Sequence, residues 1–239
     1  MNVKKFIPNT ITCMNLVSGC ISSVMALQGN LQWALVWILL AAVFDFFDGL
    51  AARALHAYSP IGKELDSLAD IVSFGVAPGM MLFISLNTAV GSLASDVYIV
   101  GYLPYLAFII PAFSGLRLAK FNIDERQVSS FIGLPVPAHA LFWGASLFTV
   151  QPFIPAHAML FVVTSVVVAF LLSLLLVSEV PMFSFKVKNL AWKGNEVRYV
   201  FVSCALVLII LLGFLGLAVT ILLYILLSIF MYRKQADNH

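Results

Sequence analysis

The sequence predicts an all-α polytopic membrane protein with about eight transmembrane helices. Hydrophobic residues make up 62% of the 239 residues and charged residues only 10%, whereas a soluble domain carries about a quarter charged residues. The apolar residues form runs of roughly 17 to 25 residues, the length that crosses a hydrocarbon core of about 30 Å. The Lys and Arg residues fall in alternate connections between these runs. Together these observations exclude an ordinary soluble domain.

Six apolar runs precede a longer C-terminal block, and each is predicted to be one membrane span. They cover residues 9–28, 31–53, 66–88, 98–119, 136–152 and 156–178. The start of the chain, with Lys4 and Lys5 before an apolar run, also has features of a cleaved leader peptide. Polar residues between Asn9 and Asn15 interrupt that run, so we expect residues 1–28 to be retained as the first span.

The C-terminal block, residues 199–232, is predicted to be a helical hairpin. At ~1.5 Å per residue it would be about 50 Å long as one helix, well beyond the thickness of the hydrocarbon core. Gly213 and Gly216 lie in its middle and suggest a turn. We expect one transmembrane domain over residues 1–239, since no polar linker or low-complexity tract divides the chain.

The distribution of positive charge predicts the orientation of the spans. With eight spans and a cytoplasmic N-terminus, all 13 Lys and Arg residues lie on the cytoplasmic side, as the positive-inside rule requires. They are Lys4, Lys5, Arg53, Lys63, Arg117, Lys120, Arg126, Lys186, Lys188, Lys193, Arg198, Arg233 and Lys234. Seven spans would place Arg233 and Lys234 outside, so eight spans with both termini in the cytoplasm are favoured.

Four aspartates, Asp45, Asp48, Asp66 and Asp70, lie within or beside the second and third spans. Ionisable residues in a bilayer are costly and are functional by default. A purely structural role would require cationic partners, and these segments offer mainly Arg53. Carboxylates on two facing helices repel each other unless cations neutralise them, and an all-oxygen ligand set favours Mg²⁺ or Mn²⁺. The sequence therefore predicts a divalent-cation site.

The acidic segment resembles the motif of a known enzyme family. The string Asp45-x2-Asp48-Gly49-x2-Ala52-Arg53-x8-Gly62-x3-Asp66-x3-Asp70 matches every fixed position of the motif of the CDP-alcohol phosphatidyltransferases. Eight specified residues over 26 positions make a highly specific match.

Within this family the chain resembles most closely the branch of bacterial membrane-embedded phosphatidylserine synthases. Four segments carry that narrower similarity, and together they fall in the motif-bearing part of the chain, residues 1–140. They are residues 8–16, 66–78, 117–122 and 131–140. His139 stands where this branch usually has Ala, and the C-terminal spans, residues 156–232, carry no motif.

The resemblance implies both a fold and a reaction. The fold would be a six-helix family core followed by a C-terminal helical hairpin. The reaction would transfer the phosphatidyl group of CDP-diacylglycerol to L-serine, giving phosphatidylserine and CMP. The partners would be these substrates and membrane lipids, with no nucleic acid. The protein would be a homodimer in the bacterial inner (cytoplasmic) membrane, with its active site facing the cytoplasm.

The resemblance also assigns roles to residues. Asp45, Asp48, Asp66 and Asp70 would bind one or two divalent ions, Mg²⁺ or Mn²⁺, and Asp70 would also take the proton of the attacking hydroxyl. The residues expected to contact the CDP-lipid are Asn9, Thr12, Gly49, Ala52, Arg53 and Ser59. The small side chains of Gly49 and Ala52 would let a nucleotide lie against the helix backbone.

The pocket for the acceptor alcohol is predicted from the chemistry of serine, the acceptor that the resemblance implies. Serine carries a carboxylate and an ammonium, so its site should offer a cation and hydrogen-bond acceptors near Asp70. The candidates are Ser73, Arg117, Lys120 and Asn122. Arg117 and Lys120 could equally be ordinary positive-inside anchors. His139 is expected to be a hydrogen-bonded structural residue.

Three alternatives remain open on the sequence alone. Another acceptor within the family, such as glycerol 3-phosphate, inositol phosphate or choline, would change the product but not the motif. A transporter coupled to divalent cations or protons would also place acids in apolar helices. That reading predicts inverted repeats, which the sequence lacks, and acids at the centre of the spans. A structural scaffold would leave the four carboxylates unexplained.

Overall fold

The computed structural model describes residues 6–93, 98–123, 131–183, 192 and 195–236. Its described part is almost entirely helical. The α-helices are α1 (Phe6–Leu27), α2 (Leu31–Ala54), α3 (Pro60–Asp70), α4 (Ala77–Ser92), α5 (Ile109–Ile123), α6 (Val136–Val150), α7 (Ala158–Val177), α8 (Glu196–Leu212) and α9 (Phe214–Ala236). This confirms the predicted all-α class.

Shorter elements join these helices. A π-helical turn, Ile71–Val76, connects α3 and α4 into one continuous helix, and a 3₁₀ segment, Tyr98–Phe108, leads into α5. Two further 3₁₀ turns, Gln151–Phe153 and Pro155–His157, separate α6 from α7. Two short strands, β1 (Phe131–Ile132) and β2 (Pro181–Met182), pair antiparallel with Phe131 opposite Met182.

Six helical segments of the described chain are long and apolar enough to cross a membrane. They are Phe6–Leu27, Leu31–Ala54, Pro60–Ser92, Val100–Ile123, Pro155–Val177 and Phe214–Tyr232. The protein is therefore an integral membrane protein. Helices α6 and α8, with 15 and 17 residues, are shorter than a hydrocarbon core of about 30 Å at ~1.5 Å per residue. Eight crossings thus remain a prediction, and six are supported by length and composition.

The C-terminal block divides where the sequence predicted. Helix α8 ends at Leu212, and Gly213 has a φ of 58°, a backbone conformation that favours glycine. Helix α9 begins at the next residue and packs against α8. A Cβ on Gly216 would overlap the carbonyl oxygen of Leu208, so the glycine permits this close return of the chain.

The third helix begins earlier than the predicted span at residue 66. Ser59 caps it, because its Oγ accepts a hydrogen bond from the Gly62 N–H at 3.1 Å, and Pro60 occupies the first turn. The polar first turns extend the helix toward the cytoplasmic side predicted from the charges. Gly62 consequently lies on the same helix as Asp66 and Asp70.

Helix α1 packs against α2, α3, the π-helical turn and α4. It is joined to α2 by a tight turn in which Gly29 has a φ of 75°. A buried apolar core beside it includes Leu35, Ile38 and Phe74. A Cβ on Gly19 would overlap Ser73 of the π-helical turn. The backbones of α1 and this turn are therefore in direct contact.

Near the C-terminal end of α7, the paired strands bring the loop before α6 and the helix α9 together. Gly133, with a φ of 76°, donates its N–H to Val180 O at 2.9 Å. Phe183, just after β2, donates its N–H to Ser228 Oγ at 3.0 Å and accepts a hydrogen bond from the Tyr224 hydroxyl at 3.0 Å. Helix α9 is thereby fixed beside β2, and it also packs against α6 and α8.

Several basic residues used to predict the orientation lie outside the described residues. They are Lys4, Lys5, Arg126, Lys186, Lys188 and Lys193, and the side chains of Arg233 and Lys234. The orientation consequently remains a prediction from charge.

Candidate active site

The predicted acids come together between α2 and α3. Asp45, Asp48 and Asp66 each place a carboxylate oxygen within 4.8 Å of the others. The i, i+3 spacing puts Asp45 and Asp48 on one face of α2, as the sequence predicted. Asp70 lies one turn beyond Asp66 and outside this closest group, but it still interacts electrostatically with all three. We refer to Asp45, Asp48, Asp66 and Asp70 as the acidic cluster.

The acidic cluster forms no salt bridge within the part of the chain that the structure describes. Among the described residues, no Lys or Arg nitrogen lies within 4.0 Å of these carboxylates. Asp48 and Asp70 are buried, and the Oδ2 atom of Asp48 has no hydrogen-bond partner there. Carboxylate oxygens are the ligands that hard divalent cations prefer. The donor set therefore fits a divalent cation, which would relieve the repulsion among the acids.

A cavity of about 330 Å³ opens directly beside the acidic cluster. Asp48 and Asp66 form part of its wall. The start of α1, the end of α2 and the connection between α2 and α3 form the rest. All of the predicted nucleotide-binding residues line this cavity, namely Asn9, Thr12, Gly49, Ala52, Arg53 and Ser59.

Other residues of the cavity wall were not assigned a role from the sequence. They are Pro8, Ala57, Tyr58, Gly62 and Lys63. Gly62 belongs to the motif, and a Cβ there would lie 3.1 Å from Asn9 Oδ1, so its lack of a side chain keeps this wall open. Tyr58 and Lys63 lie between fixed positions of the motif, and this location is the sequence feature that could have indicated a role for them. Lys63 Nζ also donates to the carbonyl oxygen of Asn122 at 3.0 Å.

Arg117 is the acceptor-site candidate that lies near the acidic cluster. Its side chain is buried, and its guanidinium carbon lies 4.7 Å from the centre of the Phe121 ring. Asp70 and Tyr224 are its electrostatic neighbours. Its Nε atom has no hydrogen-bond acceptor in the described part of the chain. A buried guanidinium with a free donor near a carboxylate is suited to bind an anionic group.

The other three acceptor-site candidates make contacts between helices. Ser73 Oγ donates to Asn15 O at 2.9 Å. Lys120 Nζ donates to Val177 O at 3.2 Å and lies 3.7 Å from Glu179 Oε1. A further contact joins Asn122 Nδ2 to Ser67 Oγ at 2.8 Å. Each of these three side chains thus has a partner within the protein.

Asn15 contacts the acidic cluster although sequence reasoning gave it no role. Its Nδ2 donates to Asp70 Oδ1 at 3.2 Å, and the residue is fully buried. The sequence feature that could have indicated a role for Asn15 was a polar side chain within an apolar span.

His139 was correctly expected to be hydrogen bonded, since Trp143 Nε1 donates to its Nε2 at 3.1 Å.

We expect the acidic cluster to bind Mn²⁺ through Asp48. Asp48→Asn removes a charge and an anionic ligand, so Mn²⁺ affinity should fall by at least about tenfold. Binding can be measured by the loss of the free-Mn²⁺ signal in electron paramagnetic resonance. Glu64→Gln is the matched control, since Glu64 is an exposed acid on the same helix as Asp66. Wild-type affinity in Asp48→Asn would refute the assignment.

Comparison with known proteins gives a consistent picture. The model of the CDP-alcohol phosphatidyltransferase family matches residues 5–177. A CDP-diacylglycerol--serine O-phosphatidyltransferase of Bacillus subtilis is 36% identical over 152 residues, which cover 63% of this chain and 80% of that protein.

Two further relatives match over smaller shares of their length. An archaetidylserine synthase of Methanothermobacter thermautotrophicus is 34% identical over 151 residues, 59% of each chain. A CDP-diacylglycerol--serine O-phosphatidyltransferase of Mycobacterium leprae is 35% identical over 146 residues, 57% of this chain and 45% of that one. This chain therefore covers about half the length of these two relatives. The match to the family model spans most of the chain and includes the acidic cluster and its cavity, and the chain belongs to the CDP-alcohol phosphatidyltransferase family.

Proposed function

We propose that this protein transfers the phosphatidyl group of CDP-diacylglycerol to L-serine and releases CMP. The observation that carries the proposal is the cavity of about 330 Å³ whose wall includes Asp48 and Asp66 of the acidic cluster. A nucleotide bound there would present its pyrophosphate to the carboxylates. The names of the relatives from Bacillus subtilis and Mycobacterium leprae support serine as the acceptor.

The proposed reaction is a displacement at phosphorus. The serine hydroxyl oxygen forms a bond to the phosphorus that carries the diacylglycerol group. The bond from that phosphorus to the bridging oxygen breaks, and CMP leaves with the bonding electron pair. Asp70 takes the proton of the serine hydroxyl, because it is the acid of the cluster that also lies near Arg117.

One or two Mg²⁺ or Mn²⁺ ions, held by Asp45, Asp48, Asp66 and Asp70, would neutralise the pyrophosphate oxygens and the charge that develops on CMP. The chain itself positions the nucleotide. Asn9 and Thr12 contribute from α1, Gly49 and Arg53 from α2, and Ser59 from the connection that follows. Arg53 is an exposed residue whose guanidinium lies beside Gly49, where a Cβ would be 3.4 Å from Nη1. It is therefore placed to contact a phosphate.

The charges around Asp70 favour an acceptor without a phosphate group. Lys120 lies 3.7 Å from Glu179 Oε1, so its charge is already balanced. Arg117 then supplies one positive charge, which matches the single negative charge of the serine carboxylate. Glycerol 3-phosphate or inositol phosphate would bring nearly two negative charges into a buried site where Arg117 is the one such cation among the described residues, and desolvation would make that costly.

The proposed location is the bacterial cytoplasmic membrane, with the site and both termini facing the cytoplasm. The placement of Lys and Arg supports this orientation. It would give CDP-diacylglycerol access from the bilayer and serine access from the cytoplasm. Formation of a homodimer is proposed on family resemblance.

We expect purified protein to release CMP from CDP-diacylglycerol in a serine-dependent manner. The assay should compare serine with glycerol 3-phosphate, inositol phosphate and choline at equal concentrations, and mass spectrometry should identify the lipid product. EDTA should abolish CMP release and Mg²⁺ or Mn²⁺ should restore it. Release that depends on another alcohol would replace the assigned acceptor, and full release in EDTA would remove the metal from the reaction.

Asp70→Asn should reduce turnover by at least about a thousandfold. The variant keeps the size of the side chain but loses the proton acceptor, worth about 10² to 10⁴ in rate, and one anionic metal ligand. Binding of CDP-diacylglycerol should change much less, because Asp70 does not line the cavity. Turnover near that of the wild type would exclude Asp70 as the base.

Arg117→Ala should raise the KM for serine by roughly 10- to 100-fold, the value of one hydrogen bond to a charged group. Its kcat should stay within about twofold, because the contact to the carboxylate is equal in the ground and transition states. Lys120→Ala is the matched control, since it removes a neighbouring cation already paired with Glu179. An unchanged serine KM in Arg117→Ala would contradict the assignment.

A further inference from the structure

Helix α1 contacts the candidate base through the side chain of Asn15. Asn15 is fully buried, and its Nδ2 donates to Asp70 Oδ1 at 3.2 Å. In the described part of the chain its Oδ1 atom has no partner. The orientation of the amide is therefore set by Asp70, because only the NH₂ end can donate to a carboxylate.

A second contact fixes the backbone of the same residue. Ser73 Oγ donates to the carbonyl oxygen of Asn15 at 2.9 Å, and Ser73 is fully buried. Gly19 makes this approach possible, since a Cβ there would overlap Ser73. Asp70 and Ser73 are three residues apart and so face α1 together. Asn15 is thus held by its backbone at one end and holds Asp70 at the other.

The local helix geometry of this region is unusual. Asp70 ends the α-helical segment α3, and the π-helical turn Ile71–Val76 follows at once. Single π-helical turns within α-helices occur frequently at functional sites. Here the turn places Ser73 against α1 directly after the residue that the proposed reaction uses as its base.

We propose that Asn15 is a positioning residue of the reaction, which holds the Asp70 carboxylate in the orientation needed to accept the serine proton, with Ser73 fixing Asn15 in turn. The inference rests on the proposed function. A carboxylate with one oxygen held by a donor has a single preferred orientation. Without the hydrogen bond from Asn15 Nδ2, the Asp70 carboxylate would lose this restraint on its orientation.

The test compares Asn15→Leu with Ser22→Ala. Leu has nearly the size of Asn but no donor. Ser22 is the matched control because it is fully buried on the same helix and its Oγ donates to Ala34 O at 2.8 Å, away from the acidic cluster. For both variants we would measure kcat at saturating substrates, the KM for CDP-diacylglycerol, Mn²⁺ affinity and the melting temperature.

Asn15→Leu should lose about 10- to 100-fold in kcat or in Mn²⁺ affinity, the usual effect of removing a hydrogen-bond partner of a functional ligand. The KM for CDP-diacylglycerol should stay within about twofold, and the melting temperature should fall no further than in Ser22→Ala. Ser73→Ala should show the same pattern with a smaller loss, since it keeps the Asn15 side chain. If Asn15→Leu does not fold, Asn15→Ala and Ser73→Ala are compared with Ser22→Ala by the same measurements.

Wild-type kcat together with wild-type Mn²⁺ affinity in Asn15→Leu would overturn the inference. The inference would also be overturned if kcat fell in proportion to the melting temperature in both Asn15→Leu and Ser22→Ala. That result would mean that both substitutions act by weakening helix packing. Failure of the proposed function is distinguished by the wild-type protein, which would then release no CMP with serine. The Mn²⁺ measurement tests Asn15 in either case.

Discussion

Repulsion among four carboxylates is the constraint around which this structure is built. Asp45, Asp48 and Asp66 place oxygens within 4.8 Å of one another, and Asp70 interacts with all three. Such a group favours separation of α2 from α3 unless a cation binds. The packing of α1 against α2, α3 and the π-helical turn opposes that separation, and the close approach at Gly19 shows how tightly the backbones meet. The framework that holds the acids is thus formed by helix packing.

The acidic cluster has two different sides. Asp48 and Asp66 face the cavity with the motif residues of α2, whereas Asp70 lies near Arg117 of α5. In the proposed reaction the nucleotide would therefore approach from one side and serine from the other. A displacement at phosphorus needs the attacking and leaving oxygens roughly in line, and this separation of the two sides suits that requirement. It also explains why one set of carboxylates could serve both substrates.

The sequence predicted the parts of the site that depend on local spacing. The motif placed Asp45 with Asp48 and Asp66 with Asp70, because helical periodicity determines which residues share a face. The start of α3 was missed, because the Ser59 cap and the polar first turn fall outside the apolar run that marks a span. Ser73, Lys120 and Asn122 could not be assigned locally, since their partners Asn15, Val177 and Ser67 lie 55 or more residues away. The roles of these side chains are set by tertiary contacts, which their charge or polarity alone does not reveal.

The surroundings of Arg117 extend beyond the part of the chain that matches the family model, which ends at residue 177. Tyr224 of α9 is an electrostatic neighbour of Arg117, and its hydroxyl donates to Phe183 O at 3.0 Å. Ser228, one turn further along α9, accepts the Phe183 N–H at 3.0 Å. The contacts that hold α9 in place therefore also set the polarity around the cation assigned to the acceptor carboxylate. In the proposed reaction, a helix outside the matched region would therefore contribute to the surroundings of the acceptor alcohol, without any change to the carboxylates.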